Sequence, residues 1–255
     1  GGIIDDENWY GIEGDSFTTY EMLRTLGHYE LLKIGDRDRG VMLYRTMRMR
    51  EGASLSQVTK EICRDLGIRA EVMPMSDDRV TTRIVTDRGK MSFHQFWVVR
   101  KAKDKVQDVE FLNSEQASPA PDVVDALDES EFIIVGPSNP ITSLGPILAV
   151  GGIRSALERN RSKVLAVSPV IGDAPVSGPT GVLMRGLGYG VSPVSVAEIY
   201  REFVSMFVLH EEDKTISSEI ENLKMEVFLE DILMPDFSSR IELAQKILQM
   251  LGHEK

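Results

Sequence analysis

Four short apolar runs, separated by stretches of helical periodicity, limit the possible fold of this chain more than any other feature. They cover residues 132–135, 164–167, 206–209 and 225–229. Apolar runs of strand length that alternate with helices are typical of a parallel sheet covered on both faces. The intervening helices are predicted at residues 122–127, 153–158, 196–203, 216–223 and 240–251. The sequence therefore predicts an α/β fold, with a Rossmann-like, three-layer parallel sheet over residues 116–255.

The first part of the chain, residues 1–115, has a different organisation. Helical spacing of apolar residues predicts three helices, of which Asp15 or Ser16 caps the first and Ser54 caps the third. These helices are expected at residues 17–26, 38–50 and 55–66. Alternating patterns predict a strand at 68–74, a hairpin that joins 82–86 to 91–99, and a strand at 106–112. We expect this part to form a helical and β-hairpin insertion on the core.

Composition excludes several classes of protein. The chain has 255 residues, a formal net charge of −11 and one cysteine, Cys63. A strongly acidic chain is a poor match for the nucleic-acid backbone, which requires a basic surface. No apolar run approaches the ~18 residues of a membrane span. We expect a cytoplasmic protein that binds neither nucleic acid nor membrane and has no disulfide framework.

Two loops of similar composition follow the first two strands of the predicted sheet. The first, residues 136–143, contains Gly136, Ser138, Asn139, Thr142 and Ser143, and the second, residues 168–179, contains Ser168 and Asp173. In open parallel sheets, ligands bind at the carboxyl ends of the strands. Small, hydroxyl and amide residues there can hold phosphate oxygens. Such residues also form ordinary turns, but their presence after two adjacent strands favours a nucleotide site.

A charged cluster precedes the second predicted helix. It consists of Lys33, Gly35, Asp36, Arg37, Asp38 and Arg39. Carboxylates suit Mg²⁺ and the guanidinium fork suits phosphate, so the cluster is a candidate diphosphate site. The alternative is a helix N-terminus with capping aspartates and solvated arginines.

Other candidates are weaker. The adjacent carboxylates of Asp77 and Asp78, which follow Ser76, can bind a metal or act as a base, although a solvated turn before the hairpin fits equally well. The acidic run 211–213 is predicted to be a solvated loop, and His94 is predicted to be structural. Met42, Met47 and Met49 are predicted to pack against neighbouring helices.

Taken in order, six motifs closely resemble the 2-phospho-L-lactate transferase family. They are WYGIEGDSF at 9–17, GDRDR at 35–39, REGASL at 50–55, PMSDD at 74–78, GPSNPITSLGPIL at 136–148 and SPVIGDAPVSGP at 168–179. The resemblance implies transfer of a 2-phospholactyl group from lactyl-2-diphospho-5′-guanosine to the deazaflavin 7,8-didemethyl-8-hydroxy-5-deazariboflavin (Fo). GMP is released, coenzyme F-420-0 is formed, and Mg²⁺ is required. In some members the donor carries enolpyruvyl instead of lactyl.

The resemblance also implies roles for individual residues. Lys33 matches a position that contacts the deazaflavin, and the GDRDR and GPSNP runs match motifs that line the nucleotide and diphosphate region. We therefore expect Asp36 and Arg37 to be catalytic. The substrate-binding residues are then Lys33, Gly35, Asp38, Ser76, Asp77, Asp78, Gly136, Ser138, Asn139, Thr142, Ser143, Ser168 and Asp173.

The start of the chain departs from the family pattern. The family opens with a β-α unit that carries a glycine-rich phosphate loop, followed by an acidic segment, and this sequence begins after both. We expect that the acidic metal ligands belong to that segment and that the strand after Glu131 lies at an open edge of the sheet. A homodimer is also expected. The alternative function is that of a sugar-nucleotide-binding regulatory protein with a related Rossmann-like core.

Overall fold

The computed structural model describes Ile4 and residues 11–252. The chain divides into two compact units, Gly1–Asp78 and Arg79–Lys255. The hairpin region therefore belongs to the second unit, whereas the sequence predicts that it groups with the helical segment in residues 1–115. Each unit is described by itself below.

The first unit contains the three predicted helices. They are α1 (Thr18–Thr25), α2 (Asp36–Arg50) and α3 (Leu55–Asp65). The N-terminus of α3 has a capping box, in which the Ser54 hydroxyl accepts from the Gln57 amide and the Gln57 side chain accepts from the Ser54 amide. Helix α2 begins two residues earlier than predicted, because a side chain distant in sequence caps it, as shown below.

Two expectations for this unit are wrong. Residues 68–74 form no strand within the described part of the chain, because no neighbouring segment pairs with them. Met42, Met47 and Met49 are not packed; their exposed fractions are 42%, 59% and 43%. The reason is that α2 turns another face towards α3, on which the Arg48 guanidinium contacts the carboxylate of Glu61.

The second unit begins with an antiparallel sheet of strand order β2-β1-β3. Its strands are β1 (Thr81–Thr86), β2 (Gly89–Ser92) and β3 (Val106–Leu112). The hairpin and the third strand were both predicted, but β2 ends at Ser92. A π-helix follows over Gln95–Val99, where the apolar spacing of Phe93, Phe96 and Trp97 is also compatible with a helical segment. Phe96 is fully buried.

A four-stranded parallel sheet forms the rest of the second unit and confirms the predicted α/β class. Its order is β4 (Ile133–Val135), β5 (Val164–Val167), β8 (Met206–His210) and β9 (Glu226–Glu230). All four strands were predicted from the apolar runs. Among the described strands, β4 pairs with β5 alone, so it lies at an edge, as expected for the strand after Glu131.

Helices flank this sheet. They are α4 (Val123–Glu129), α5 (Leu144–Leu148), α6 (Ile153–Arg159), α7 (Thr180–Gly186), α8 (Pro193–Tyr200), α9 (Ser217–Glu221) and α10 (Phe237–Met250). Helix α10 packs Leu243 and Ile247 against Leu165 and Val208 of the sheet. Burial of these aliphatic side chains contributes to the stability of the unit.

Several helix starts differ from the sequence predictions because caps determine them. Helix α8 begins at Pro193, with Ser192 accepting from the Ser195 amide, three residues before the predicted start. Helix α10 also begins three residues early, since Asp236 and Ser239 form a capping box. Apolar periodicity does not show where a cap lies.

Residues 211–213 are not the predicted solvated loop. They open a 3₁₀-helix, Glu211–Ile216, and Asp213 within it is only 8% exposed. The Nδ1 atom of His210 accepts from the Glu212 amide and so caps this helix.

The antiparallel sheet approaches the helices of the second unit at two glycines. A Cβ atom on Gly186, at the end of α7, would lie 2.5 Å from Cβ of Val106 in β3. On Gly145 in α5 it would lie 2.6 Å from Cζ of Phe111. Only glycine permits this approach, which fixes the hairpin region beside the carboxyl edge of the parallel sheet.

Candidate functional site

A cavity of about 230 Å³ lies where the first two parallel strands end. We call it the strand-end cavity. It is lined by Phe93, Pro137, Ser138, Asn139, Thr142, Ser143, Pro169, Ser177, Gly178, Pro179 and Thr180. The first loop leaves β4 and the second leaves β5, and these strands are parallel neighbours. The prediction that residues 136–143 and 168–178 face one crevice at the carboxyl edge is therefore confirmed.

Asn139 shapes the first loop. Its Oδ1 atom accepts from the amides of Ile141, at 2.9 Å, and Thr142, at 3.1 Å. Its backbone oxygen accepts from the amides of Ser143 and Leu144. These bonds make a compact turn in which the side-chain oxygen is occupied. Among the hydrogen bonds of residues 11–252, the Asn139 side-chain NH₂ group donates none, and it remains available to a ligand.

The cavity offers hydroxyl groups and no ionisable side chain. Ser138, Thr142 and Ser143 have hydroxyls that make no hydrogen bond among the described residues, whereas the Thr180 hydroxyl donates to the Ser177 carbonyl at 3.4 Å. Neutral donors and acceptors can orient phosphate or hydroxyl oxygens. They cannot neutralise a diphosphate, so that charge requires groups outside this lining.

Phe93 is a lining residue that the sequence analysis missed. It follows β2, is partly buried, and meets the His94 ring edge-to-face at a centroid distance of 6.1 Å. His94, predicted to be structural, is itself exposed. No local pattern marks Phe93, because packing of the antiparallel sheet on α5 and α7 brings it to the cavity. An aromatic ring there can pack on a planar ligand.

Three predicted binding residues of the second unit lie outside the cavity lining. Gly136 directly follows β4, and Asp173 is exposed on a turn. Ser168 is fully buried; its hydroxyl donates to the Val170 carbonyl at 2.6 Å and accepts from the Val170 amide. Their roles in binding remain predictions.

In the first unit, two aspartates cap helices reciprocally: Asp15, which precedes α1, caps α2, and Asp36, the first residue of α2, caps α1. The Asp15 carboxylate accepts from the amides of Arg37, at 2.8 and 3.0 Å, and Asp38, at 3.2 Å, at the start of α2. The Asp36 carboxylate accepts from the amides of Thr18 and Thr19 at the start of α1. Each helix therefore has its free amides satisfied by a residue adjoining the other. The sequence placed Asp15 correctly at a cap, but of the wrong helix.

The hydrogen bonds lower the pKa of both carboxyl groups. Donation by the Ser16 hydroxyl, then by the Thr19 hydroxyl and amide, holds the pKa of Asp36 far below its usual value. Burial acts to raise the pKa of Asp15, but the amides of Arg37, Asp38 and Ser16 outweigh it, and the net shift is downward. Both groups are anionic near neutral pH.

The cations of the same cluster also have partners. The Arg37 Nη1 atom donates to the Glu13 carbonyl at 3.1 Å, and its side chain is otherwise exposed. Arg39 forms an ion pair with Glu30. The Lys33 ammonium lies 3.7 Å from the centroid of the Phe17 ring, a cation–π contact. These contacts fit the capping alternative, while the catalytic roles of Asp36 and Arg37 remain predictions.

The Ser76–Asp78 candidates also make structural contacts. The Asp77 carboxylate accepts from the Ser56 amide at 2.6 Å and from the Ser56 hydroxyl at 2.8 Å, near the start of α3. The Ser76 hydroxyl accepts from the Asp78 amide, and Ser76 is buried. Their predicted roles in substrate binding stay untested.

Among the described residues, no group of three or more His, Cys, Asp or Glu side chains is arranged to hold a metal ion. The donor chemistry agrees, since both oxygens of Asp36 and of Asp77 already accept hydrogen bonds. The described residues therefore do not fit a complete Mg²⁺ site. No described helix is long and apolar enough to cross a membrane.

Comparison with known proteins gives a consistent result. A family model described as 2-phospho-L-lactate transferase CofD matches residues 5–241. The 2-phospho-L-lactate transferase of Methanosarcina mazei is 43% identical over 246 residues, which are 96% of this chain and 80% of that protein. The corresponding proteins of Methanocaldococcus jannaschii and Methanopyrus kandleri are 41% and 44% identical over 254 residues, which are 98% of this chain and 80% of each protein.

Solved structures show the same fold at low identity. A crystal structure of a UPF0052-family protein from Bacillus halodurans superposes with a TM-score of 0.58 at 16% identity, covering 79% of this chain and 69% of that one. A second crystal structure from the same organism gives a TM-score of 0.60 at 14% identity, with coverages of 83% and 72%.

Proposed function

We propose, on the premise that this chain belongs to the 2-phospho-L-lactate transferase family, that it transfers a 2-phospholactyl group from lactyl-2-diphospho-5′-guanosine to Fo. A ribityl hydroxyl of Fo attacks the phosphorus that carries the lactyl group, and the bond from that phosphorus to the GMP oxygen breaks. The hydroxyl proton leaves, and coenzyme F-420-0 and GMP are the products. An enolpyruvyl donor would react by the same displacement.

The observation that carries this proposal is the strand-end cavity, with its uncommitted hydroxyls at the ends of two adjacent parallel strands. In the proposal, Ser138, Thr142 and Ser143 hydrogen-bond substrate oxygens, and the NH₂ group of Asn139 adds a further donor. The Phe93 ring packs on the planar ring system. Holding the acceptor hydroxyl and the phosphorus in a fixed orientation supplies much of the rate acceleration in a displacement of this kind.

Charge on the diphosphate is assigned to the cluster in the first unit. We propose that Arg37 acts directly on the diphosphate, because its guanidinium is exposed and makes a single hydrogen bond among the described residues. Asp36 positions Arg37 by fixing the junction of α1 and α2. Lys33 is proposed to contact the deazaflavin.

Three further expectations belong to the same proposal. The reaction is proposed to require Mg²⁺ held by groups other than the described carboxylates, so that chelation with EDTA should abolish transfer and added Mg²⁺ should restore it. The protein is a homodimer, which light scattering would show as twice the chain mass. The protein is expected in the cytoplasm, because the 255 residues contain a single cysteine, Cys63, and so form no disulfide bond within the chain.

The direct test is to incubate the full-length protein with Fo, the guanosine donor and Mg²⁺ and to follow F-420-0 and GMP by chromatography. We expect the two products in equal amounts. A protein that binds a UDP-sugar, does not bind Fo and forms no GMP would instead be the sugar-nucleotide-binding regulator, and the proposal would be wrong.

A further inference from the structure

The second cavity-lining loop contains a small hairpin whose tip is held by a distant carboxylate. Strands β6 (Val170–Ile171) and β7 (Ala174–Pro175) pair antiparallel and are joined by Gly172 and Asp173. Gly172 has a φ of +58°, which a two-residue turn with glycine in its first position requires. Its amide points to Asp213, at 3.0 Å from each carboxylate oxygen.

Asp213 is presented to this turn from the segment that follows β8, the strand next to β5 in the sheet. It lies on the 3₁₀-helix that follows β8 and is 8% exposed. The amide of Gly172 is its only hydrogen-bond donor among residues 11–252. A carboxylate removed from water loses hydration, and a charge-assisted bond to an amide offsets part of that loss. This contact is therefore a specific link between the segment after β8 and the loop after β5.

The hairpin is continuous with the cavity wall. Pro169, immediately before β6, and Ser177, two residues after β7, both line the strand-end cavity. The Val176 amide donates to the Pro169 carbonyl at 3.0 Å and closes the base of the hairpin. A backbone hydrogen bond fixes the base of the hairpin, and Asp213 fixes its tip. Because Pro169 and Ser177 flank the hairpin, its orientation affects where these two lining residues lie.

We propose that Asp213 is a positioning residue for the strand-end cavity, which it serves by holding the Gly172 amide. The inference rests on the proposed function for its effect on turnover, but the contact itself can be measured without any substrate. Asp213 is not one of the residues that line the cavity, so its effect on the cavity passes through the hairpin.

The test compares Asp213→Ala and Asp213→Asn with the parent protein, using Glu211→Gln as the matched control. Glu211 belongs to the same 3₁₀-helix but is exposed. Amide hydrogen exchange measured by mass spectrometry should show residues 170–176 exchanging about tenfold faster in Asp213→Ala, the loss expected for one charge-assisted bond. Asp213→Asn retains an acceptor oxygen and should restore most of the protection. Glu211→Gln should match the parent.

In the transfer assay, we expect Asp213→Ala to raise KM by about tenfold while kcat changes less than about threefold, because ground-state positioning is lost. Unchanged exchange at 170–176 in both variants would overturn the proposal. Faster exchange throughout the protein would also overturn it, because Asp213 would then have a general role in stability. Faster exchange at 170–176 with unchanged kinetics would overturn it as well. If the parent shows no transfer at all, the proposed function fails, while the exchange data still decide whether Asp213 holds the hairpin.

Discussion

Substitution of Arg37 can distinguish a catalytic role of the charged cluster from a role in helix capping. Its backbone amide takes part in the cap of α2, but its guanidinium makes one hydrogen bond, to the Glu13 carbonyl, among the described residues. Arg37→Ala keeps the amide and removes the side chain beyond Cβ, including the guanidinium. If the guanidinium stabilises the transition state, turnover should fall by about 10²–10³-fold while the melting temperature is nearly unchanged.

Arg45→Ala is the control for this experiment, since Arg45 is an exposed arginine of the same helix. It should leave turnover at the parent value. A turnover for Arg37→Ala within about twofold of the parent would mean that the cluster has a structural role only.

Phe93 gives a second prediction at this scale. Replacing it with Leu keeps an apolar side chain but removes the ring that lines the cavity. We expect affinity for the planar substrate to fall about tenfold, the loss of one aromatic contact, while helix content stays the same. Titration of Fo fluorescence measures this. Val99→Leu is the control, because Val99 is exposed and lies outside the cavity lining. Equal affinities for Phe93→Leu and the parent would exclude stacking.

Glu61 makes the stability of the first unit depend on pH. Hydrogen bonds from Arg48 and then from the Tyr44 hydroxyl lower the pKa of this carboxyl from 4.5 to about 2. Since the folded pKa is the lower one, the stabilisation is fully present above pH 4.5 and is lost as the pH falls towards 2. The contribution is modest because the ion pair is still partly open to solvent, with 24% of the Glu61 side chain exposed.

In Glu61→Gln, the acid-induced loss of helical circular dichroism should be less steep between pH 4.5 and 2 than in the parent. Glu71→Gln serves as control, because Glu71 pairs with Lys60 only at 3.5 Å and both side chains are exposed. Identical acid titrations of Glu61→Gln and the parent would contradict the assignment.

At the scale of secondary structure, the contact of α7 with β3 depends on the absence of a side chain. In Gly186→Ala, the new methyl group would lie 2.5 Å from Cβ of Val106 and 2.9 Å from its carbonyl oxygen. The strand must move away, at a cost of about 1–3 kcal/mol in the free energy of unfolding. Because the same sheet carries Phe93, substrate affinity should also fall.

The control is Gly40→Ala in α2, where a Cβ atom meets nothing within 4 Å. There alanine should be neutral or should stabilise the helix by up to about 1 kcal/mol. Thermal unfolding of both variants measures the difference. A Gly186→Ala protein as stable as the parent would show that α7 and β3 are not in close contact.

The sequence predicted correctly those elements whose residues are nearly all buried, because their apolar runs are visible in the sequence itself. Strands β5 and β8 are almost wholly buried, so their apolar runs identify them directly. Residues 68–74 alternate in the same way but lack a pairing partner in the described chain, and pairing is a long-range property. Helices α5 and α7 were missed because each is short and lies within a loop rich in Gly, Pro and Ser.

The same distinction applies to the candidate site. The two loops were found because their composition and their place after strands are local signals. Phe93 and Asp213 gave no local signal, since the first reaches the cavity through sheet packing and the second through a contact 41 residues away in sequence.

At the scale of the whole molecule, the first unit contains, close to its end at Asp78, a segment with few backbone hydrogen bonds. Ile68 donates to the Cys63 carbonyl, and residues 69–75 make no backbone–backbone hydrogen bond among those of the described residues. Segments of this kind open at low free-energy cost and are cut first by proteases. Brief trypsin treatment should cleave after Arg69, which is exposed.

In Arg69→Gln, this first cleavage should disappear while later fragments form at the parent rate. Mass spectrometry of the products identifies the bond. A first cut within the second unit would show that residues 69–75 are better protected than their hydrogen bonding indicates.

The exchange of caps between Asp15 and Asp36 has a consequence for how this sequence can change. Each carboxylate satisfies amides at the start of the helix that adjoins the other. Removing one leaves the second with a less ordered partner, so the two substitutions should not add in their effects. A lineage that has lost one aspartate gains little from keeping its counterpart. We therefore expect these two positions, 21 residues apart, to be retained together or lost together among related sequences.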